Sequence, residues 1–539
     1  MKPRTLLDLY SPAVSLEFAH RLQERKYSGW RFLYWFWHAT SYRSKNETNE
    51  TARSIAVFLG LGMLLQIALG VGFLVEWARY GTVGAWEFGL ALLLSYPLMW
   101  AHIAVIFAWL CNLVISLANP KKAARSVVCT ILEAQVRQLR ARHKFKVVAV
   151  VGSLGKTSTK HVIASLVGQN LRVRTQAGNY NDRVTVPLVF FGQQEPSLYN
   201  VFAWLKVFGV TQSEIALDYP YDVVVIELGT DGPGQIGQFA YLKPDITVVT
   251  AVAPEHMEFF GDLDGVAKEE LGVFAYSKQV LINGDDIAGE YLTGYEFTEY
   301  SIQASQAAYR ASTKQKGLDG QLMTCTLPDG TIEAEVPLVG AQSAKFALAA
   351  VAVADMLGIK RVDIQKSLPH LTPFSGRMQV LEGRHGSRLI DDTYNAAPIS
   401  MKAALDVLYA AKAPQRVAVL GSINEMGDYA HEAHKIVGEY CDPKKLDLVI
   451  TVGKDAKKWL APAAKTRGCT VKSFLSPYDA GDYALSNLKQ GAVVLFKGSQ
   501  NGVFTEESLK QVLANPEDAS KLVRQSAWWV SRKAKQFPR

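Results

Sequence analysis

The sequence lacks any Cys-x-x-Cys pair; its five cysteines, Cys111, Cys129, Cys325, Cys441 and Cys469, lie far apart. That excludes a zinc ribbon and gives no support to a disulfide framework, which fits a reducing compartment. Charge is scarce as well, at 20% of residues against a usual quarter, while hydrophobic residues reach 49%, the upper edge of the globular range. Glycine and proline, at 41 and 21, are near average, so collagen-like and low-complexity classes fall away. No repeat of solenoid period and no long disordered linker is visible. With 539 residues the chain has room for three or four domains. Its formal net charge of +8 invites either a nucleic-acid or a membrane reading.

Residues 55–75 carry no charge and are interrupted only by Gln66. As a helix they would extend roughly 31 Å, enough for a ~30 Å hydrocarbon core. A second apolar stretch, 88–118, contains Pro97, His102 and Asn112. Two transmembrane helices near 55–75 and 92–118 are therefore expected, against the alternative of two buried core helices. Arg43, Lys45 and Arg53 precede the first run, and Lys121, Lys122 and Arg125 follow the second, whereas the loop between them holds only Arg79. The positive-inside rule then predicts a multi-pass protein of the cell (inner) membrane with cytoplasmic catalytic domains. Trp30, Tyr34, Trp35 and Trp37 read as an interfacial aromatic belt or as one face of a short helix. On this reading the lipid bilayer accounts for the positive balance, and no nucleic-acid partner is expected.

From Lys146 the pattern changes to short β-branched runs, such as Val147–Val151, Val223–Ile226, Val417–Leu420 and Val493–Phe496, alternating with helical segments. Continuous apolar strands between helices predict an α/β fold with parallel sheets covered on both faces. The first run leads into Gly152-Ser-Leu-Gly-Lys-Thr-Ser-Thr159. Glycines there let backbone N–H groups face a phosphate at a helix N-terminus, with Lys156 in reach of the β/γ-phosphates and the Thr157 hydroxyl available to Mg²⁺. Val150 stands where the full Walker pattern has its first glycine, so an ordinary Gly-rich turn is the plainer alternative.

Further motifs follow in order: Gly178-Asn-Tyr-Asn181, Val225-Ile-Glu-Leu-Gly229, Pro254-Glu-His-Met-Glu-Phe-Phe-Gly261, Asn283-Gly-Asp-Asp286, Ser375-Gly-Arg377, Asp391-Asp-Thr-Tyr-Asn-Ala396, Glu425-Met-Gly427 and Lys497-Gly-Ser499. Together with the loop they resemble the Mur ligase family over roughly residues 145–515, most closely its branch that adds D-alanyl-D-alanine to a UDP-muramoyl tripeptide. The resemblance implies a P-loop ATPase-like central domain (127–370) and a Rossmann-like C-terminal ligase domain (371–520), after a membrane region (1–126) and before a basic aromatic tail (521–539).

What it implies chemically is ATP-dependent amide-bond formation through an acyl phosphate, joining a muropeptide-type carboxylate to an amino acid or dipeptide amine, with ATP and Mg²⁺. Gly152, Ser153, Gly155, Lys156, Thr157 and Ser158 would form the nucleotide loop. Thr157, Glu227, His256 and Glu270 would hold metal, and Lys156, His256 and Glu270 would serve catalysis. Arg377, Asp392 and Asn395 would meet the nucleotide from the C-terminal domain. Three departures stand out. The family's Gly-x-His-Asn-x-x-Asn adenine segment reads Gly340-Ala-Gln-Ser-Ala-Lys-Phe346. Glu270 stands where the family often has a carbamoylated lysine. No counterpart of the UDP-binding domain is visible. A Mur-like ligase acting on a lipid-linked or non-murein substrate, and a nucleotide-binding pseudoenzyme scaffold, are the alternatives. The tail, with Trp528 and Trp529 among basic residues, fits either a membrane surface or a docked terminal helix.

Overall fold

Four valines among the five residues after Lys146 favour a pleated strand, because β-branched side chains pack well on that surface. In the computed structural model they form β1 (Lys146–Val151), with all five apolar residues buried. The structure describes residues 67–68, 70–79, 81, 120–176, 180–254, 257–424 and 426–538. The chain divides into two units, 1–127 and 128–539; the second contains both sheets.

Around β1 the chain builds α1 (Pro120–Arg142), α2 (Lys156–Val167), β2 (Val173–Arg174), α3 (Thr185–Phe191), α4 (Val201–Ala216), β3 (Val223–Glu227), β4 (Ile246–Val249), α5 (Leu263–Glu270), β5 (Val280–Asn283) and β6 (Thr298–Ser301). Then come β7 (Tyr309–Gln315), β8 (Gln321–Leu327), β9 (Gly330–Val336) and α6 (Ala341–Met356). The nine strands run in the order β2-β3-β1-β4-β5-β6-β7-β8-β9. Alternation along β1 divides the core. Val148 and Val150 pack with α2 and α6, while Val147, Ala149 and Val151 pack with α1, α3 and α5. A strand buried on both faces needs apolar residues at every position, which is what the valine run supplies.

The second sheet is built from β10 (Gln379–Glu382), β11 (Arg388–Asp392), α7 (Pro398–Ala410), β12 (Arg416–Gly421), α8 (Ala430–Tyr440), β13 (Leu448–Val452), β14 (Val471–Phe474), α9 (Pro477–Ser486), β15 (Val493–Lys497), α10 (Thr505–Val512) and α11 (Ala527–Gln536). Its order is β10-β11-β15-β12-β13-β14. Helices α7 and α8 cover one face, and α9 and α10 the other.

Both sheets are mixed, which corrects the expectation of purely parallel ones. β7, β8 and β9 pair antiparallel, as do β10 and β11. The reason is connection length: β8 and β9 are joined by Pro328-Asp329 alone, and so short a link can join only antiparallel neighbours.

The multi-pass inner-membrane placement is also corrected. No helix among the described residues is long and apolar enough to cross a membrane. Residues 70–79 are helical, and Glu76 and Arg79 lie in that helix. The expected span 92–118, most of 55–75 and the aromatic cluster Trp30–Trp37 lie outside the described residues. The bilayer partner is withdrawn with the placement. The tail takes the second of its two readings: α11 docks through Lys533, buried against Glu506 and Glu507, and Trp529, which meets Phe504 edge-on at 6.0 Å.

Candidate active site

The loop between β1 and α2 reverses direction through two glycines, Gly152 at φ +120° and Gly155 at φ +81°. Neither tolerates a side chain. A Cβ on Gly152 would lie 2.8 Å from Ala251 N, and one on Gly155 2.8 Å from Phe346 Cε1. Ser153 ties the loop to the end of β4, its N–H donating to Ala251 O at 2.9 Å and its hydroxyl accepting from Ala253 N at 3.0 Å. Lys156 begins α2, and its ammonium donates to Gly152 O. Thr157 and Ser158 follow in the first turn, both buried.

Glu227 ends β3, the parallel neighbour of β1, so its carboxylate arrives beside α2. Thr157 Oγ1 donates to Glu227 Oε1 at 3.2 Å, Asn181 Nδ2 approaches the same oxygen at 3.4 Å, and Lys160 Nζ stands 3.4 Å from Oε2. A hydroxyl and a carboxylate form an all-oxygen donor pair. That fits Mg²⁺, which takes one or two protein carboxylates and fills its remaining positions with phosphates and water. Among the described residues no group of three or more His, Cys, Asp or Glu could hold a metal by itself. His256, expected to hold a second Mg²⁺, lies outside the described residues.

Glu270 sits elsewhere in this arrangement. It ends α5 fully buried, and its Oε2 accepts from the Gly152 N–H at 2.8 Å. The carboxylate thus grips the first turn of the loop from behind, a contact across 118 positions of sequence. Glu270→Gln retains an acceptor for that N–H and removes the charge. Turnover is expected to fall about ten- to a hundredfold, since a hydrogen bond to a charged group contributes roughly 1.5–3 kcal/mol. Because a glutamate needs no CO₂ to carry its charge, wild-type turnover should be the same in CO₂-depleted and bicarbonate-supplemented buffer. Stimulation by bicarbonate would contradict this role for Glu270.

From the second sheet, Asp392 ends β11 and Lys497 ends its parallel neighbour β15. Lys497 Nζ donates to Asp392 Oδ2 at 2.6 Å and to Asn395 O at 3.0 Å, with the ammonium wholly buried. Burial pushes the Lys497 pKa down, against the pull of Asp392. Arg377 lies over the Tyr394 ring at 4.4 Å. Loop residues 153–158, Glu227, Arg377, Asp392, Asn395 and Lys497 line one cavity of about 1960 Å³, and Gly152 lies outside that lining.

Next to Asp392, Asp391 is fully buried, and burial raises its pKa to about 6 despite hydrogen bonds from Thr393. Its folded pKa exceeds the unfolded value near 3.9, so its stabilising contribution is present in full below that value and is lost as pH rises through 6. Asp391→Asn should therefore gain stability relative to wild type between pH 5 and pH 8, on the order of 1 kcal/mol. Urea titrations at the two pH values check this; a difference independent of pH would contradict it.

Sequence reasoning passed over Lys345. It is buried on α6, 2.8 Å from Asp286 Oδ1 and 3.7 Å from Asp285 Oδ2, and it fastens the start of α6 to the Asn283–Asp286 turn. The sequence signal was weak: one cation in an alanine-rich helix, paired with carboxylates 59 positions away. In the altered adenine segment Ser343 is buried, and Phe346 covers Gly155.

Compared with known proteins, the sequence matches the Mur ligase middle domain over residues 150–354 and the Mur ligase glutamate ligase domain over residues 376–500. UDP-N-acetylmuramoyl-tripeptide–D-alanyl-D-alanine ligase of Bacillus subtilis is 27% identical over 380 residues, 69% of this chain and 76% of that protein. The Escherichia coli enzyme of the same name is 30% identical over 320 residues, 58% and 65% of the two chains. In structure, the Thermotoga maritima MurF ligase in complex with ADP aligns with a TM-score of 0.58 at 22% identity, covering 72% of this chain and 84% of that one. MurF from Acinetobacter baumannii gives 0.57 at 24%, covering 68% and 77%.

Proposed function

We propose that this chain, which belongs to the Mur ligase family and is an ATP-dependent ligase, joins D-alanyl-D-alanine or a similar amine to the terminal carboxylate of a muramoyl-peptide acceptor. The observation that carries the proposal is the convergence of Lys156, Thr157 and Glu227 from one sheet, and of Arg377, Asp392 and Lys497 from the other, on a single cavity. The printed names of the relatives supply the substrate class.

In this reading the acceptor carboxylate takes the γ-phosphoryl group of ATP, giving an acyl phosphate and ADP. The amine then attacks the acyl carbon, and phosphate leaves with the C–O bond electrons. Phosphoryl transfer depends on positioning and charge neutralisation. Lys156 supplies positive charge at the loop, and the backbone N–H groups after Gly155 face the phosphates. Thr157 and Glu227 are the residues that would hold Mg²⁺, which when bound neutralises developing charge on the phosphate oxygens. Lys160, 3.4 Å from Glu227 Oε2, holds that carboxylate in place. Arg377 and Asn395 reach the nucleotide from the second sheet, so both sheets must stand in register for transfer.

The test is phosphate release by the full-length protein with ATP, UDP-muramoyl tripeptide and D-alanyl-D-alanine, followed by mass spectrometry of the acceptor. Release should require both acceptor and dipeptide, and the acceptor should gain the dipeptide mass less one water. Release that ignores the dipeptide would sink the substrate assignment.

A further inference from the structure

Beyond residue 500 the chain runs past the matched glutamate ligase domain, and this stretch contains a deeply buried charge cluster. Arg524, 7% exposed, donates from Nε and Nη2 to the two oxygens of Glu506, each at 2.8 Å, and Glu506 has no exposed side-chain surface. Lys533, 1% exposed, lies 2.9 Å from Glu506 Oε1 and 2.7 Å from Glu507 Oε1, and also donates to Arg524 O at 2.8 Å. Two cations thus meet two carboxylates away from water, so none of these bonds is diluted by solvent screening.

The guanidinium does more than close this cluster. Its Nη1 donates to Tyr394 O at 2.9 Å and its Nη2 to Thr393 O at 2.6 Å. These carbonyls belong to the turn that follows Asp392 and carries Tyr394 beneath Arg377. The next carbonyl, Asn395 O, is held by Lys497. Val523, the preceding tail residue, covers the second turn of the site: a Cβ on Gly376, beside Arg377, would lie 2.8 Å from Val523 Cγ1. Tyr394 N donates to Gly376 O at 3.0 Å, which joins the two turns.

We propose that Arg524 is a positioning residue for the nucleotide: from the tail it clamps turn 393–395 and turn 375–377, so that Arg377 and Asn395 are set before ATP arrives. A guanidinium suits this task because its planar fork engages a carboxylate on one edge and carbonyls on the other, a pattern one ammonium cannot span. Without the clamp, ordering the two turns becomes a cost of binding ATP and not of folding, which weakens binding more than chemistry.

The inference rests on reading Arg377 as a nucleotide contact, so the experiment separates the two. ATP KM and kcat are measured on full-length Arg377→Ala, Arg524→Ala, Arg524→Lys and Trp529→Ala, with melting temperatures alongside. Arg524→Ala should raise the ATP KM by about ten- to a hundredfold while kcat at saturating ATP stays within about threefold. Guanidinium chloride at about 20 mM should restore much of the lost KM where sodium chloride does not, because the ion refits the bidentate site. Arg524→Lys should fall between. Trp529→Ala loosens tail packing without touching either turn and should leave the ATP KM near wild type. An unchanged KM in Arg524→Ala, or an equal rise in Trp529→Ala, overturns the clamp. An unchanged KM in Arg377→Ala removes the underlying reading and the clamp with it. If Arg524→Ala does not fold, Glu506→Gln keeps Arg524 and removes its counter-charge; a several-fold rise in KM is expected, and no change overturns the proposal.

Discussion

Lys156→Ala is expected to lower kcat/KM for ATP by about three orders of magnitude while the protein stays folded. The two halves of this expectation come from different features. Structurally, Lys156 opens α2, is half-buried, and points its ammonium back at the Gly152 carbonyl. Alanine is the best helix former, and the loop's shape is set by other groups: the glycines at 152 and 155, Ser153 against Ala251 and Ala253, and Glu270 on Gly152. The melting temperature should therefore move by no more than a few degrees. Chemically, removing one preorganised charge aimed at a transferring group costs about 10²–10³ in rate, and more where water is excluded. Single-turnover transfer of the γ-phosphoryl group is the measurement. Near-wild-type transfer would mean that the loop does not bind the triphosphate.

Much of the framework that carries Lys156 could be read from local sequence. The valines of β1 and β3 are buried on both faces, so they form unbroken apolar runs that alternation cannot hide. The loop glycines were visible because the chain needs positive φ there, which few other residues accept. The antiparallel edge was legible too but was missed: Gln321-Leu-Met-Thr-Cys-Thr-Leu327 alternates in burial, and Pro328-Asp-Gly330 is a hairpin signal. Of the apolar stretches near the N-terminus, the described residues 70–79 are helical and take in Glu76 and Arg79.

The contacts that complete the site join distant segments, and local pattern contains none of them. Glu270 was singled out by family position, yet its bond to Gly152 depends on how α5 packs beneath β1. Lys345 finds Asp286 only once the first sheet is assembled, and Arg524 finds Thr393 and Tyr394 only once the second is. Lys497-Gly-Ser499 after a strand is a motif of low specificity, for which a plain turn is nearly as good a reading. Its meaning comes from register: β15 lies beside β11, with Lys497 opposite Asp392.

That register makes Lys497→Met the substitution with the largest expected effect on stability. Methionine matches the length of the lysine stem and fills its space, so packing loss is small. What remains is the Asp392 carboxylate, 6% exposed, without the ammonium that stood 2.6 Å away. Breaking a buried pair from one side costs about 3–5 kcal/mol, whereas removing both partners together is often nearly neutral. In the double variant Lys497→Met/Asp392→Asn the buried charge is gone, and most of the lost stability should return in urea titrations. Activity should not return, because both groups line the cavity and the Asn395 carbonyl has lost its donor. Recovery of stability without recovery of turnover would assign the pair to the site as well as to the fold. Full activity in the double variant would reduce Lys497 and Asp392 to a structural pair, and a single variant as stable as wild type would show that Asp392 reaches solvent or another cation.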